Sequence, residues 1–251
     1  MKIWQAPTAL ANLTLLCPLE LDVDADAMAG EARAAIAEWG HSQQEGPHHD
    51  GTWTRLGLYA PSGDPFRSYK RGGERREKTA VLKGMPVAER FLDRFEGTLR
   101  TASLSRMEAG AGVGWHRDRR QSIDLEYVRL HIPLVTSPRA VTTIGHQTRS
   151  LTKGAVWYGD FACPHTVRNA AESARIHLMF DVKATEDLWR LFPQSFRRQT
   201  SRRAAARRAA NAIFDRMERR SPEGRKALAY KRARARAVRE GRPLPPPPWA
   251  G

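Results

Sequence analysis

The sequence predicts a mainly β protein, a barrel or sandwich of short strands with flanking helices. Three observations carry that reading. Between about residues 101 and 183 the chain breaks into short β-branched or aromatic runs, punctuated by Gly, Pro and Asn at the spacing of an all-β core. Neither a strand–helix–strand alternation nor a Gly-rich phosphate loop is present. A chain of 251 residues can bury one substantial core, and barrels or sandwiches of this length are often one domain.

Upstream of that core, LTLLCPLEL reads as a strand and Ala25 to Trp39 as an Ala-rich helix with Asp22 or Asp24 near its start. The polar loop GHSQQEGPHHDG follows, then the strand TWTRLGLYA. GDPFRSYKRGGERREK is Gly- and Arg-rich and reads as a mobile loop. Val87, Phe91, Leu92 and Phe95 fall at helical spacing. The core strands are TASLSRME, YVRLHIPLVT, AVTTIGH, GAVWYGD, HTVRNA and ARIHLMFDV. From about residue 186 the chain turns helical and basic. Ala206, Ala210, Ile213, Phe214 and Met217 share one helical face, Pro222 ends that helix, and a second Ala/Arg-rich helix is expected from Glu223 to about Arg239. GRPLPPPPWAG is a polyproline-type ending. Residues 1–185 are therefore expected to form the β domain with its N-terminal helices, and 186–251 a basic helical extension.

The chemistry centres on GVGWHRD. Residues i and i+2 of a strand point to one face, so His116 and Asp118 project together if this run is a strand or a strand end. They are either surface polar groups beside a turn or two members of a facial triad, the two-His, one-carboxylate set that leaves open positions on non-haem Fe(II). CPHTV supplies a third candidate, His165, on another expected strand. Ten residues further, Arg175 opens an apolar strand, a costly place for a guanidinium unless it meets an anion such as a cosubstrate carboxylate. The ordered set H-x-D, distal His and Arg is far more specific than H-x-D alone.

At these residues the chain resembles the aspartyl/asparaginyl β-hydroxylase family, and within it the bacterial proline hydroxylases. The resemblance is clearest over about residues 98–183, through GVGWHRD, VRLHIPLVTSP, LTKGAVWYGDFACPHTVRN and ARIHLMFDV. It implies a double-stranded β-helix, a jelly-roll or cupin-like core. It also implies an Fe(II)- and 2-oxoglutarate-dependent dioxygenase that uses O2 and releases succinate and CO2. By that match His116, Asp118 and His165 are the iron ligands, and Arg175 binds the distal carboxylate of 2-oxoglutarate. Arg129 and His131 line the cosubstrate and substrate pocket, Arg129 as a grip for a substrate carboxylate. His177, on the strand face of Arg175, stands where related folds place a hydroxyl. Asp160 is a candidate support for the iron site, Trp157 for the core. The implied substrate is an amino acid, free or as a peptide residue of the Asp, Asn or Pro kind. Desaturation instead of hydroxylation stays open.

The remaining features bound the setting. HHD at His48 to Asp50 reads as a solvated loop, with contact to substrate as the alternative, and Cys163 as a small buried thiol. Two cysteines make no disulfide framework, no long apolar window is present, and no cleavage site follows the N-terminus, so a cytoplasmic, non-membrane protein is expected. The net charge is +15, but residues 197–242 hold 17 Lys or Arg against 4 Asp or Glu, and the rest is nearly balanced. The tail is read as a helical cover with a solvated Arg face, dispensable for the chemistry, or as a contact for an acidic partner or nucleic acid. A rival class, a non-enzymatic nucleic-acid-binding protein on a cupin-like scaffold, would rely on phosphate contact. From residue 197 onward Phe214, Tyr230 and Trp249 are the only aromatics.

Overall fold

A computed structural model of the chain describes residues 1–43, 46–49, 51–67 and 75–248. Asp50, Trp249 and residues 68–74 of the Gly- and Arg-rich segment lie outside the described residues. In chain order the elements before the core are α1 (Ala6–Leu10), β1 (Leu16–Leu19), α2 (Ala25–Trp39), β2 (Ser42–Gln43), β3 (Trp53–Pro61), β4 (Arg76–Lys78), α3 (Ala80–Lys83) and α4 (Pro86–Asp93). The core strands are β5 (Leu99–Met107), β6 (Gly112–His116), β7 (Tyr127–Val135), β8 (Ala140–Ile144), β9 (Gln147–Ser150), β10 (Val156–Gly159), β11 (His165–Asn169) and β12 (Arg175–Lys183). The chain continues through α5 (Glu186–Arg190), α6 (Gln194–Arg197), α7 (Thr200–Arg220) and α8 (Pro222–Arg239).

The core is a jelly roll. The larger sheet contains the order β10-β7-β12-β5, extended by β1 at one edge and by β3 and β2 at the other, and the smaller sheet is β6-β11-β8-β9. Among the described residues the pairings of β5 to β12 are antiparallel, and the chain crosses between the sheets as two Greek keys do. The β8–β9 hairpin turns at Gly145, whose φ of 51° suits glycine, and an added Cβ there would lie 2.6 Å from Leu15.

Strand periodicity decides what sits on each face of the large sheet. Ile176, Leu178, Phe180 and Val182 of β12 join Val128, Leu130, Ile132 and Leu134 of β7 in the main hydrophobic core. Met28, Ala29 and Ala32 of α2 and Phe91 and Leu92 of α4 cover that face. Asp24 caps α2, its carboxylate accepting from the Ala27 amide at 2.9 Å. The alternate residues, Arg129, His131, Arg175 and Met179, line a small cavity between the two sheets. The apolar core thus lies outside the jelly roll, and the polar residues of apolar strands are gathered inside it.

The tail differs from a detached basic arm. Leu188, Phe192 and Phe196 belong to the main core, so residues just beyond 185 are integral to it. On α7 the buried residues are Arg203, Ala206, Arg207, Ala210 and Phe214, whereas Met217 is 40% exposed. Of the expected apolar stripe Ala206, Ala210 and Phe214 are buried, and two arginines join them because buried carboxylates await them. Among the described residues no helix is long and apolar enough to cross a membrane.

Candidate metal centre

His116 closes β6 and His165 opens β11, and the antiparallel register places the two opposite each other. Their rings sit 4.1 Å apart between centroids. Asp118 lies two residues past the end of β6, where its amide donates to the Phe161 carbonyl at 2.9 Å and ties the loop to the segment leading into β11. One ligand atom from each of His116, Asp118 and His165 falls within 4.8 Å of the others. The Nδ1 atoms of His116 and His165 each face a backbone carbonyl two residues back, Gly114 at 2.8 Å and Cys163 at 3.0 Å. Donation there fixes the tautomer and leaves both Nε2 atoms as metal-binding lone pairs. Burial, and then His165, push His116 down to about 3 even though its edge reaches the pocket, and burial lowers His165 as well. Both imidazoles are thereby neutral at ordinary pH, the form that binds metal. The donor set fits a divalent metal held on one face.

Arg129 is placed differently from a substrate grip. Its Nε and Nη2 donate to both oxygens of Asp181 at 2.8 and 2.9 Å, and its Nη1 donates to Asp118. The Arg129–Asp181 pair spans neighbouring strands in register, so the guanidinium is fixed from behind and holds the Asp118 carboxylate. Arg129→Lys keeps the charge but cannot bridge two carboxylates. Metal affinity in an anaerobic titration is expected to fall by about 10- to 100-fold, the usual cost of an outer-shell partner. Unchanged affinity would return Arg129 to the substrate.

Arg175 is buried, and among the described residues it forms no ion pair. Burial pushes its guanidinium down to about 10. Its Nε and Nη2 each lie 2.8 Å from a ring nitrogen of His177, of which a neutral imidazole accepts at one. Burial and the Arg175 charge hold His177 well below its ordinary value. His177 therefore stands behind Arg175 rather than on the cavity wall. His131 is buried with neither ring nitrogen hydrogen-bonded, its ring 5.1 Å from Phe161. An unpaired buried guanidinium and an unsatisfied imidazole on one small cavity are the signature of a site shaped for a polar, anionic guest.

Three groups near the candidate metal centre make contacts that the sequence did not specify. His48 stacks on His116 with centroids 5.3 Å apart, and Gly114 donates to the His48 carbonyl, so His48 and His49 line the pocket instead of a solvated loop. The second is α7. Arg117 donates to both Asp215 oxygens, with Nε at 2.9 Å. Asn211 donates to the Ala162 carbonyl at 3.1 Å, and Arg207 donates to Asp160 at 2.7 Å. Burial pushes the Asp160 carboxyl up, and Arg207 draws it back. The third is α8, which lines the outer pocket. Cys163 is a buried thiol, pushed well up by burial.

The sequence model of the family described as Aspartyl/Asparaginyl beta-hydroxylase matches residues 20–185. An L-proline cis-4-hydroxylase of Rhizobium meliloti (strain 1021) is 26% identical over 131 residues, 51% of this chain and 45% of that protein. The match thus spans less than half of that relative's length. Among solved structures the chain is similar to an oxidoreductase of the 2OG-Fe(II) oxygenase family from Burkholderia pseudomallei. That likeness has a TM-score of 0.46 and 16% identity over 73% of this chain and 91% of the other. A Pseudomonas putida prolyl-4-hydroxylase gives a TM-score of 0.43 at 16% identity, over 73% of this chain and 100% of the other.

Proposed function

We propose, from the premise that this chain belongs to the aspartyl/asparaginyl β-hydroxylase family, that it is an Fe(II)- and 2-oxoglutarate-dependent dioxygenase acting on an amino acid. The amino acid is free or a residue of a peptide, it is hydroxylated, and succinate and CO2 are released. The observation that carries this reading is one cavity with His116, Asp118 and His165 on one side and an ion-pair-free, buried Arg175 on the other.

Bound iron with 2-oxoglutarate and O2 supplies the oxidising power that no side chain has. The protein does the rest. His116, Asp118 and His165 hold the metal, and Arg129 keeps the Asp118 carboxylate turned toward it. Arg175 receives the distal carboxylate of 2-oxoglutarate as a bidentate partner, with His177 fixing its plane. Val113, Phe161, Val167 and Met179 give the cavity dry walls, which strengthen each of these charge interactions.

Arg175→Lys should raise the KM for 2-oxoglutarate by at least about tenfold, because one of two parallel charge-assisted bonds, each worth roughly 1.5–3 kcal/mol, is lost. An unchanged KM would make Arg175 a structural residue. The reading as a whole is tested by anaerobic titration with Fe(II) and 2-oxoglutarate, followed by an amino-acid panel scored by succinate release. Appearance of the weak visible charge-transfer band only when both are present is expected. Its absence would overturn the reading.

A further inference from the structure

The family match ends at residue 185, yet the pocket that opens onto His116, Asp118 and Arg129 has its outer wall built from the C-terminal extension. Tyr230, Lys231, Arg234, Ala235, Val238 and Arg239 line it, a spacing of one, three or four residues that marks a single helical face of α8. Ala227, Tyr230 and Ala237 are buried, which docks α8 on the body and aims this face across the pocket. Facing α8 are His48, His49 and Trp53.

Among the described residues, charge on the pocket wall is one-sided. Arg117, Arg129, Lys231, Arg234 and Arg239 line it, and Asp118 is the one carboxylate among the described lining residues. Arg117 is engaged by Asp215, and Arg129 by Asp181 and Asp118. The two cations of the body are therefore already paired with carboxylates. Two further cations, Lys231 and Arg239, stand on α8. Lys231 is exposed and touches Glu218 at 3.3 Å, and Arg239 is exposed with no ion pair among the described residues. A cleft lined by one sign of charge concentrates ligands of the opposite sign.

We propose that α8 is the substrate-selecting wall of this enzyme, and that Lys231 and Arg239 receive a carboxylate of the substrate that lies outside the metal cavity. The proposal rests on the dioxygenase reading and adds what that reading lacks, the chemistry of the molecule admitted. Two sources supply such a group, a free amino acid and an acidic peptide flanking the reacting residue. The pocket's apolar lining, Pro47, Trp53, Ala235 and Val238, accommodates the remainder of either.

Calorimetry on the full-length protein, with and without Fe(II) and 2-oxoglutarate under argon, tests it. The probes are free L-amino acids against their amides, and blocked peptides with Glu against the same peptides with Gln. At least one acid is expected to bind about tenfold or more tightly than its own amide, and which pair does so identifies the source. The double variant Lys231→Met, Arg239→Met should erase that preference while Fe(II) and 2-oxoglutarate bind as before. Equal binding of every acid and amide, or an undiminished preference in the double variant, overturns the proposal. So does failure of every acidic probe to bind. Failure of iron to bind is a separate result that overturns the dioxygenase reading instead.

Discussion

His116→Ala, Asp118→Ala and His165→Ala each abolish iron-dependent succinate release while the chain stays folded. Each removes one of three protein donors, so the loss should exceed the roughly 10- to 100-fold typical of an outer partner. Folding should survive for a reason specific to each position. The Asp118 variant leaves Arg129 still paired to both Asp181 oxygens, so no guanidinium is stranded. The histidine variants remove rings whose structural bonds are one backbone carbonyl apiece. Succinate release, metal content and thermal unfolding measured on the same samples check this. Full activity in any one variant with iron still bound would break the triad.

Arg207→Ala should cost about 3–5 kcal/mol of stability and loosen the metal centre, though Arg207 sits in the basic tail. Its Nη1 reaches Asp160 at 2.7 Å, Asp124 at 3.2 Å and Ser122 at 2.9 Å, and Asp160 is wholly buried. Removing one partner of a buried pair leaves an uncompensated charge, which is where that magnitude arises. Asp160 lies five residues before His165, and Asn211 of the same helix holds Ala162 between them. Denaturant unfolding should therefore shift together with Fe(II) affinity. Truncation after Arg198 should be more severe still, since it also strips Arg203 from Asp124, a bidentate pair at 2.8 Å on both arms. A truncated protein that is stable and binds iron normally would restore the picture of an accessory tail. Charge arithmetic alone suggested that picture, and the two buried arginines argue against it.

Much of the site was legible before any coordinates. The short punctuated strands predicted the β core. Helical spacing located α4 and α7, and Ala-rich composition α2 and α8, although α4 ends at Asp93, short of Phe95, and the chain turns at Gly97 with a φ of 77°. Residue types at fixed separations singled out His116, Asp118, His165 and Arg175; His116 and His165 meet because β6 and β11 are paired in register, and Arg175 reaches the same cavity from β12 of the other sheet. His48 carried no such signal. Its contact with His116 arises from a loop laid along β6, and loop placement leaves no periodicity to read.

The sequence by itself determined most of the elements, their amphipathic faces and the candidate metal-binding groups, because these can be read from residue types and spacing. Only the tertiary structure decided what the long-range charges do. Arg129 faces inward as its strand position requires, but whether it meets a substrate or Asp181 depends on which strand lies beside β7. The tail's arginines show the same limit. One helix sends Arg203 and Arg207 into the body, the next presents Lys231 and Arg239 to a pocket, and composition counts all four alike. A charge acquires its role from the partner that folding brings within a few ångströms, and partners distant in sequence are the ones that composition and periodicity leave undetermined.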